Sequence, residues 1–216
     1  MHVQVTPTQA NRISALGRRR FSDRDYLRFC EENPDLNVER TAAGEIVIVP
    51  PAGYESDECN ASVVAQLKVW ADKDGRGRVS GPTAQFFLPD GSARSPDAAW
   101  TSHERLSRAS SEEMRRFPYL CPEFVIEVLS PSDRLSAAKA KMEQWIANGA
   151  QLAWLIDADR ETVYVYEAGR PVEIKKGIAR LHGKGPVGPH RAAGSALRRS
   201  KPGFVLQLRT IWEGLK

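Results

Sequence analysis

Apolar positions along this chain recur at two spacings, and the switching between them lays out a mixed order of helices and strands. Residues 1–20 are polar, end in Arg18-Arg19-Arg20 and read as a loose leader. Ser22 then stands where a helix N-cap belongs, ahead of a short helix carrying Tyr26, Leu27 and Cys30 that Asn33-Pro34 ends. Residues 36–40 and 45–49 read as short strands across a turn at Ala43-Gly44, and Pro50-Pro51-Ala52-Gly53 breaks the chain after them. From about 55 to 73, Val63, Leu67 and Trp70 recur at three-to-four spacing, which predicts a long helix closed by the glycines at 75 and 77. Residues 84–88 and 95–100 read as a hairpin around Pro89-Asp90-Gly91, and 103–116 as a helical stretch.

The strongest strand is 124–129, Phe-Val-Ile-Glu-Val-Leu, apolar everywhere except Glu127. Ser130-Pro131-Ser132 stops it, and a helix follows over about 133–148 with Asn148-Gly149 at its C-terminal cap. Residues 152–156 and 162–166 form two strands across Asp157-Ala158-Asp159-Arg160, and 204–208 alternates like a last strand. No internal repeat is visible. This order predicts an α/β fold with a mixed sheet flanked by helices, built as one domain over 21–216.

Glu127 is the position that asks for chemistry. An ionised carboxylate in an apolar strand costs several kcal/mol unless it is paired, neutralised or metal-bound. An edge strand facing water, or a buried partner arginine, would also account for it. Asp97 sharpens the choice: it follows Pro96 at the head of the second hairpin arm, just before Ala98-Ala99-Trp100. A Pro-Asp alone is a commonplace turn. On neighbouring strands, however, these two acids can meet at one end of a sheet, where they repel unless a proton or a divalent cation lies between them. Oxygen ligands suit Mg²⁺ or Mn²⁺ rather than zinc.

Composition narrows the alternatives. Cys30, Cys59 and Cys121 are odd in number and well separated, and four scattered histidines form no metal-binding pair. That argues for a reducing cytoplasm and against disulfides or zinc. No apolar run reaches the ~18 residues of a membrane span, and the N-terminus does not look like a signal peptide. Neither G-x-G-x-x-G nor a P-loop is present, and Ser130, Ser132 and Asp133 lack the histidine and the G-x-S-x-G elbow of a serine hydrolase. The net charge of +4 is concentrated: between Arg170 and Lys201 nine basic residues face only Glu173, so that stretch carries +8 and the rest −4. This Gly/Pro-containing segment, at about 170–201, reads either as a solvated loop or as a local contact for nucleic acid.

Several separated motifs together carry a resemblance. Ser95-Pro96-Asp97-Ala98-Ala99-Trp100, Phe117-Pro118, and the run from Cys121-Pro122-Glu123 through Glu127-Val128-Leu129-Ser130-Pro131-Ser132-Asp133 resemble the Uma2 family. So do Lys141-Met142, Trp145-Ile146-Ala147-Asn148-Gly149, Trp154-Leu155-Ile156-Asp157 and the closing Pro202-Gly203-Phe204 with Ile211-Trp212. The likeness covers roughly 21–166 and resumes at Pro202. This family, formerly a domain of unknown function, is assigned to the PD-(D/E)xK nuclease superfamily. The resemblance implies a restriction-endonuclease-like fold and a Mg²⁺- or Mn²⁺-dependent endonuclease acting on DNA.

Carried over, Asp97 matches the superfamily's Asp and Glu127 its second acid, both as metal ligands. Glu55 matches an acid at the start of the first core helix that completes the metal shell, although the macrodipole alone favours an acid there. The chain departs from the pattern at the lysine, because Leu129 occupies the place two residues after the second acid. Periodicity leaves Lys139 and Lys141 equivalent, flanking the apolar stripe of the next helix, where either could simply snorkel. The resemblance favours Lys141 as the third catalytic residue. Superfamily members often pair two active sites, so a homodimer is implied by analogy only. Leu129 equally suits a nuclease fold without activity that serves as a binding or assembly subunit, and RNA is the alternative substrate.

Overall fold

The computed structural model describes residues 20–131, 133–191 and 200–213. Most of the leader expected at 1–20, together with Ser132, Arg198 and Arg199, therefore lies outside the described residues. The chain runs α1 (Asp23–Glu32), β1 (Val38–Arg40), β2 (Ile46–Ile48), α2 (Tyr54–Asp74), β3 (Gly77–Ser80), β4 (Phe86–Phe87), β5 (Ala93–Arg94) and β6 (Ala98–Ser102). It continues through α3 (His103–Leu106), α4 (Ser111–Arg115), β7 (Phe124–Val128), α5 (Leu135–Ala147), β8 (Leu152–Asp157), β9 (Thr162–Glu167), β10 (Glu173–Lys176) and β11 (Arg180–His182). A 3₁₀ turn (Gly185–Val187), β12 (His190–Arg191), β13 (Ser200–Lys201), β14 (Val205–Gln207) and α6 (Arg209–Glu213) complete it.

Six strands form the central sheet in the order β10-β9-β8-β7-β6-β3. Only β7 and β8 are parallel, and α5 is the crossover that a parallel pair requires. Alternation along each strand then divides the core in two. Phe124, Ile126, Trp154, Ile156, Val163 and Val165 face Val63, Leu67 and Ala71 of α2, along with Phe204 and Trp212. Val125, Ala153, Leu155 and Tyr164 face Met142 and Trp145 of α5. Both faces are covered, which is why β7 and β8 are buried at every residue and read as continuous apolar runs. A four-stranded sheet, β2-β1-β5-β4, sits beside this core under α1, with Phe21, Tyr26, Val38, Phe87 and Ala93 between them.

The structure departs from the sequence pattern in three places. The hairpin expected over 84–100 is divided: β4 pairs with β5 in the small sheet, whereas β6 pairs with β3 and β7 in the large one. Ser95-Pro96-Asp97 is the link between sheets, and Pro96, with no N–H to give to a ladder, suits a point where pairing must stop. β3 lies where only a helix stop was expected. Its Gly77 packs so tightly on β6 that a Cβ there would come within 2.6 Å of the Trp100 ring, so a glycine is needed for contact rather than for a turn. Third, the basic stretch at 170–201 is not loop throughout. β10 extends the central sheet, and β11 and β12 pair with β14 and β13. Lysine-rich edge strands carry little apolar alternation, which hides them from periodicity.

The helical stretch expected at 103–116 is two short helices, each capped by a serine, Ser102 and Ser110. Among the described residues no helix is long and apolar enough to cross a membrane.

Candidate active site

Asp97 and Glu127 come together because of the register between β6 and β7. Ala98 lies opposite Ile126, so the residue just before β6 and the residue just after Ile126 are neighbours across the ladder. Asp97 turns its Oδ2 to accept the Val128 N–H at 2.7 Å, at the end of β7 where the strand's own pairing with β6 has run out. Its Oδ1 lies 3.4 Å from Nδ2 of Asn60 on α2. Both acids thus stand at the C-terminal end of β7, beside its parallel partner β8.

Glu127 points to the α5 side of the sheet. Trp145 donates its indole N–H to Glu127 Oε1 at 2.9 Å, and the Lys141 ammonium lies 3.1 Å from Oε2 and 3.0 Å from Oε1. Lys141 and Trp145 are four residues apart on α5, one turn, so both reach down to the same carboxylate. Lys139 projects elsewhere: its amine rests 4.4 Å from the centroid of the Tyr164 ring. The geometry therefore separates two lysines that periodicity could not.

A second carboxylate, Glu39 of β1, meets the same lysine at 3.2 Å. Glu39 is buried and also accepts from Arg94 at 2.7 Å and from the Ser95 N–H at 3.0 Å. Sequence reasoning passes over it, since Glu39 and Arg40 look like the polar end of a short strand. Asn60 is the other residue that pattern alone does not reveal. It is buried on α2, and its Oδ1 has no hydrogen-bond partner among the described residues. A polar residue on the inner face of a long helix was the available signal. Glu55, by contrast, is exposed in the first turn of α2 and is not among the groups that hold Asp97, Glu127 or Lys141.

Electrostatics follow from this crowding. Burial pushes the Glu127 carboxyl up to about 7, with Asp97 and Glu39 pushing the same way against the pull of Lys141. Burial also raises Asp97, although the Val128 N–H and Lys141 oppose it. Glu39 goes the other way, because Lys141, Arg94 and the Ser95 N–H together outweigh its burial. Burial would discharge Lys141, but Glu127, Glu39 and Asp97 outweigh it and hold the ammonium above its ordinary range. Three acids face two cations here. Among the described residues, no three His, Cys, Asp or Glu side chains gather as a metal shell, so Asp97 and Glu127 stand as a pair. The pair can hold a hard cation in common, and the ammonium beside it can meet an anionic oxygen.

Comparison with known proteins points the same way. A family model described as "Uma2: Putative restriction endonuclease" matches residues 23–185. A crystal structure from Anabaena variabilis, described as "a putative nuclease belonging to DUF820", superposes with a TM-score of 0.66 at 18% sequence identity. The superposition covers 91% of this chain and 99% of that one, and shows a shared fold. No curated protein matches the chain.

Proposed function

The chain belongs to the Uma2 family, and from that premise we propose that it is a metal-dependent endonuclease hydrolysing DNA phosphodiester bonds. The observation that carries this reading is the convergence of Asp97, Glu127 and Lys141, delivered by a loop, a strand and a helix to one end of the central sheet. Two acids and an amine are the groups that phosphodiester hydrolysis requires when a cation supplies the electrophile.

The donor set suits a hard divalent cation in kind. Asp97 and Glu127 offer carboxylate oxygens, and the unpartnered Asn60 Oδ1, buried next to Asp97, offers a third oxygen of the type Mg²⁺ accepts. When bound, Mg²⁺ or Mn²⁺ would polarise a phosphate oxygen and acidify a bound water. The chain's own residues do the rest. The Val128 N–H fixes Asp97, and the Trp145 indole fixes Glu127, so neither carboxylate swings away. Lys141 keeps a positive charge beside them and would stabilise the charge that grows on the phosphoryl oxygens in the transition state. Its side chain is 24% exposed, so an incoming phosphate can reach it. Glu55 remains a candidate only as an outer group at the rim.

Cleavage of plasmid DNA in Mg²⁺ or Mn²⁺ by wild type, Lys141→Met and Lys139→Met tests the assignment. Loss of one electrostatic stabiliser should lower the rate by about 10²- to 10³-fold for Lys141→Met, while Lys139→Met retains it. Equal loss in both variants would remove Lys141 from its role.

A second reading has its own support. Leu129 stands where the superfamily's strand lysine would be, and no three-acid shell is present among the described residues. On that reading the fold binds nucleic acid or assembles with another chain without cutting. A panel of duplex, single-stranded and RNA substrates separates this from cleavage of RNA, and sedimentation over a concentration series tests the homodimer.

A further inference from the structure

Lys141 reaches the acids from a helix, on a long flexible stem, and a single carboxylate would serve it poorly. Any cation or substrate that engages Glu127 takes away the partner that holds the amine. The structure supplies a second hold. Glu39 Oε1 lies 3.2 Å from Lys141 Nζ, and the Ser95 carbonyl accepts from the same amine at 3.0 Å.

The second carboxylate is itself firmly fixed. Its Oε1 accepts the Ser95 N–H at 3.0 Å and its Oε2 accepts from Arg94 at 2.7 Å. Arg94 in turn donates to Gln144 Oε1 at 3.0 Å. Gln144 lies three residues after Lys141 on α5, so the helix that carries the amine also braces the arginine that holds its partner. Glu39 is buried at 5% exposure, where a carboxylate without such partners would be expensive.

An ammonium has three protons to donate. Glu39 and Ser95 take two of them, and Glu127 takes the third. We propose that Glu39 is the positioning residue of this site: it keeps the Lys141 ammonium in place when Glu127 is engaged elsewhere, leaving one N–H free for an anionic oxygen. Its position in a different sheet from Asp97 and Glu127 gives it a separate task, holding the lysine rather than sharing a cation. The significance for catalysis rests on the nuclease reading above, but the geometry of the hold does not.

The test needs no metal and no substrate. Glu127→Gln imitates an engaged Glu127 by removing its charge. Acylation of Lys141 by an amine-directed reagent at fixed pH, read by mass spectrometry on the folded full chain, then reports how firmly the amine is held. Lys141 should stay protected in Glu127→Gln, and adding Glu39→Gln should raise its labelling about tenfold, as expected when a charge-assisted bond is removed. Glu39→Asp, which keeps the charge on a shorter stem, should fall between, and serves if the glutamine variant does not fold. Thermal unfolding of each variant identifies the folded ones.

Equal labelling of Lys141 with and without Glu39, in a folded protein, would overturn the proposal. So would full exposure of the amine in Glu127→Gln alone. If the labelling result holds and plasmid cleavage is absent from wild type, the hold stands and the nuclease reading falls. If both hold, Glu39→Gln should lower kcat with little change in KM, and Glu39→Asp should recover part of the loss.

Discussion

A carboxylate on a strand covered on both faces needs compensation close at hand, and Glu127 has it from Lys141 and Trp145. Asp97 is held differently, by a backbone N–H at a strand end and by a neighbouring amide. That amide, Asn60, leads to a prediction about single residues. If its unpartnered oxygen serves the cation, Asn60→Ala should weaken Mn²⁺ binding by about tenfold or more, as losses around a metal commonly do. Glu55→Ala should leave it unchanged, since Glu55 is exposed and apart from the acid pair. Calorimetric titration of the two variants checks both, and the reverse ranking would return the role to Glu55. Asp97 and Glu127 were legible in the sequence because each is an acid out of keeping with its apolar neighbours. Asn60 and Glu39 were not, because a polar residue on a helix or short strand looks solvated until the packing against it is known.

Between elements, much of the construction concerns how α5 is held. Asp90, in the turn between β4 and β5, accepts from Gln144 at 2.7 Å and from Asn148 at 3.0 Å, both near the helix C-terminus, as well as from Ser92. Burial would raise its carboxyl, but these hydrogen bonds outweigh that and hold it near 2, below its ordinary 3.8. A depressed acid adds stability that is fully present above its unfolded value and lost as pH falls through the folded one. Asp90→Asn should therefore lower Tm at pH 5 and above, and the gap from wild type should close between pH 3.8 and about 2. Thermal unfolding across that range checks it, and a gap independent of pH would contradict it. Helices and buried strands were legible from period alone, most clearly β7 and α5. The division of β4–β5 from β6 was not, because Ser95-Pro96-Asp97 looks like the continuation of a hairpin arm until two sheets compete for it. β3 and β10 stay hidden because edge strands with so little apolar alternation leave no period to read.

For the molecule as a whole, charge and fold are arranged separately. The acid pair sits where β6 and β7 part at one end of the central sheet, whereas Lys175 and Lys176 lie on β10 at its edge, three strands from β7. Lys184 and Lys175 are both within reach of Glu173 and are partly neutralised by it. If the basic edge meets DNA, replacing Lys175, Lys176 and Lys184 by Gln should flatten the dependence of log Kd on log salt by about 0.9 for each phosphate left without its cation. Glu127→Gln should leave that slope alone. Fluorescence anisotropy with a short duplex would read both, and an unchanged slope in the triple variant would show that the basic stretch is a solvated edge. The fold class was legible from the order of elements and the family from its motifs. The placement of the basic residues was not, since charge along a sequence does not say which side of a sheet it reaches.

The decisive experiment is calorimetric binding of Mg²⁺ and Mn²⁺ to wild type and Glu127→Ala, with plasmid cleavage scored in the same buffers. Wild type should bind the cation and cut, and Glu127→Ala should do neither while remaining folded. A wild-type protein that binds neither cation would defeat the metal-dependent reading and leave Glu127 as a buried acid paired with Lys141 for structure alone.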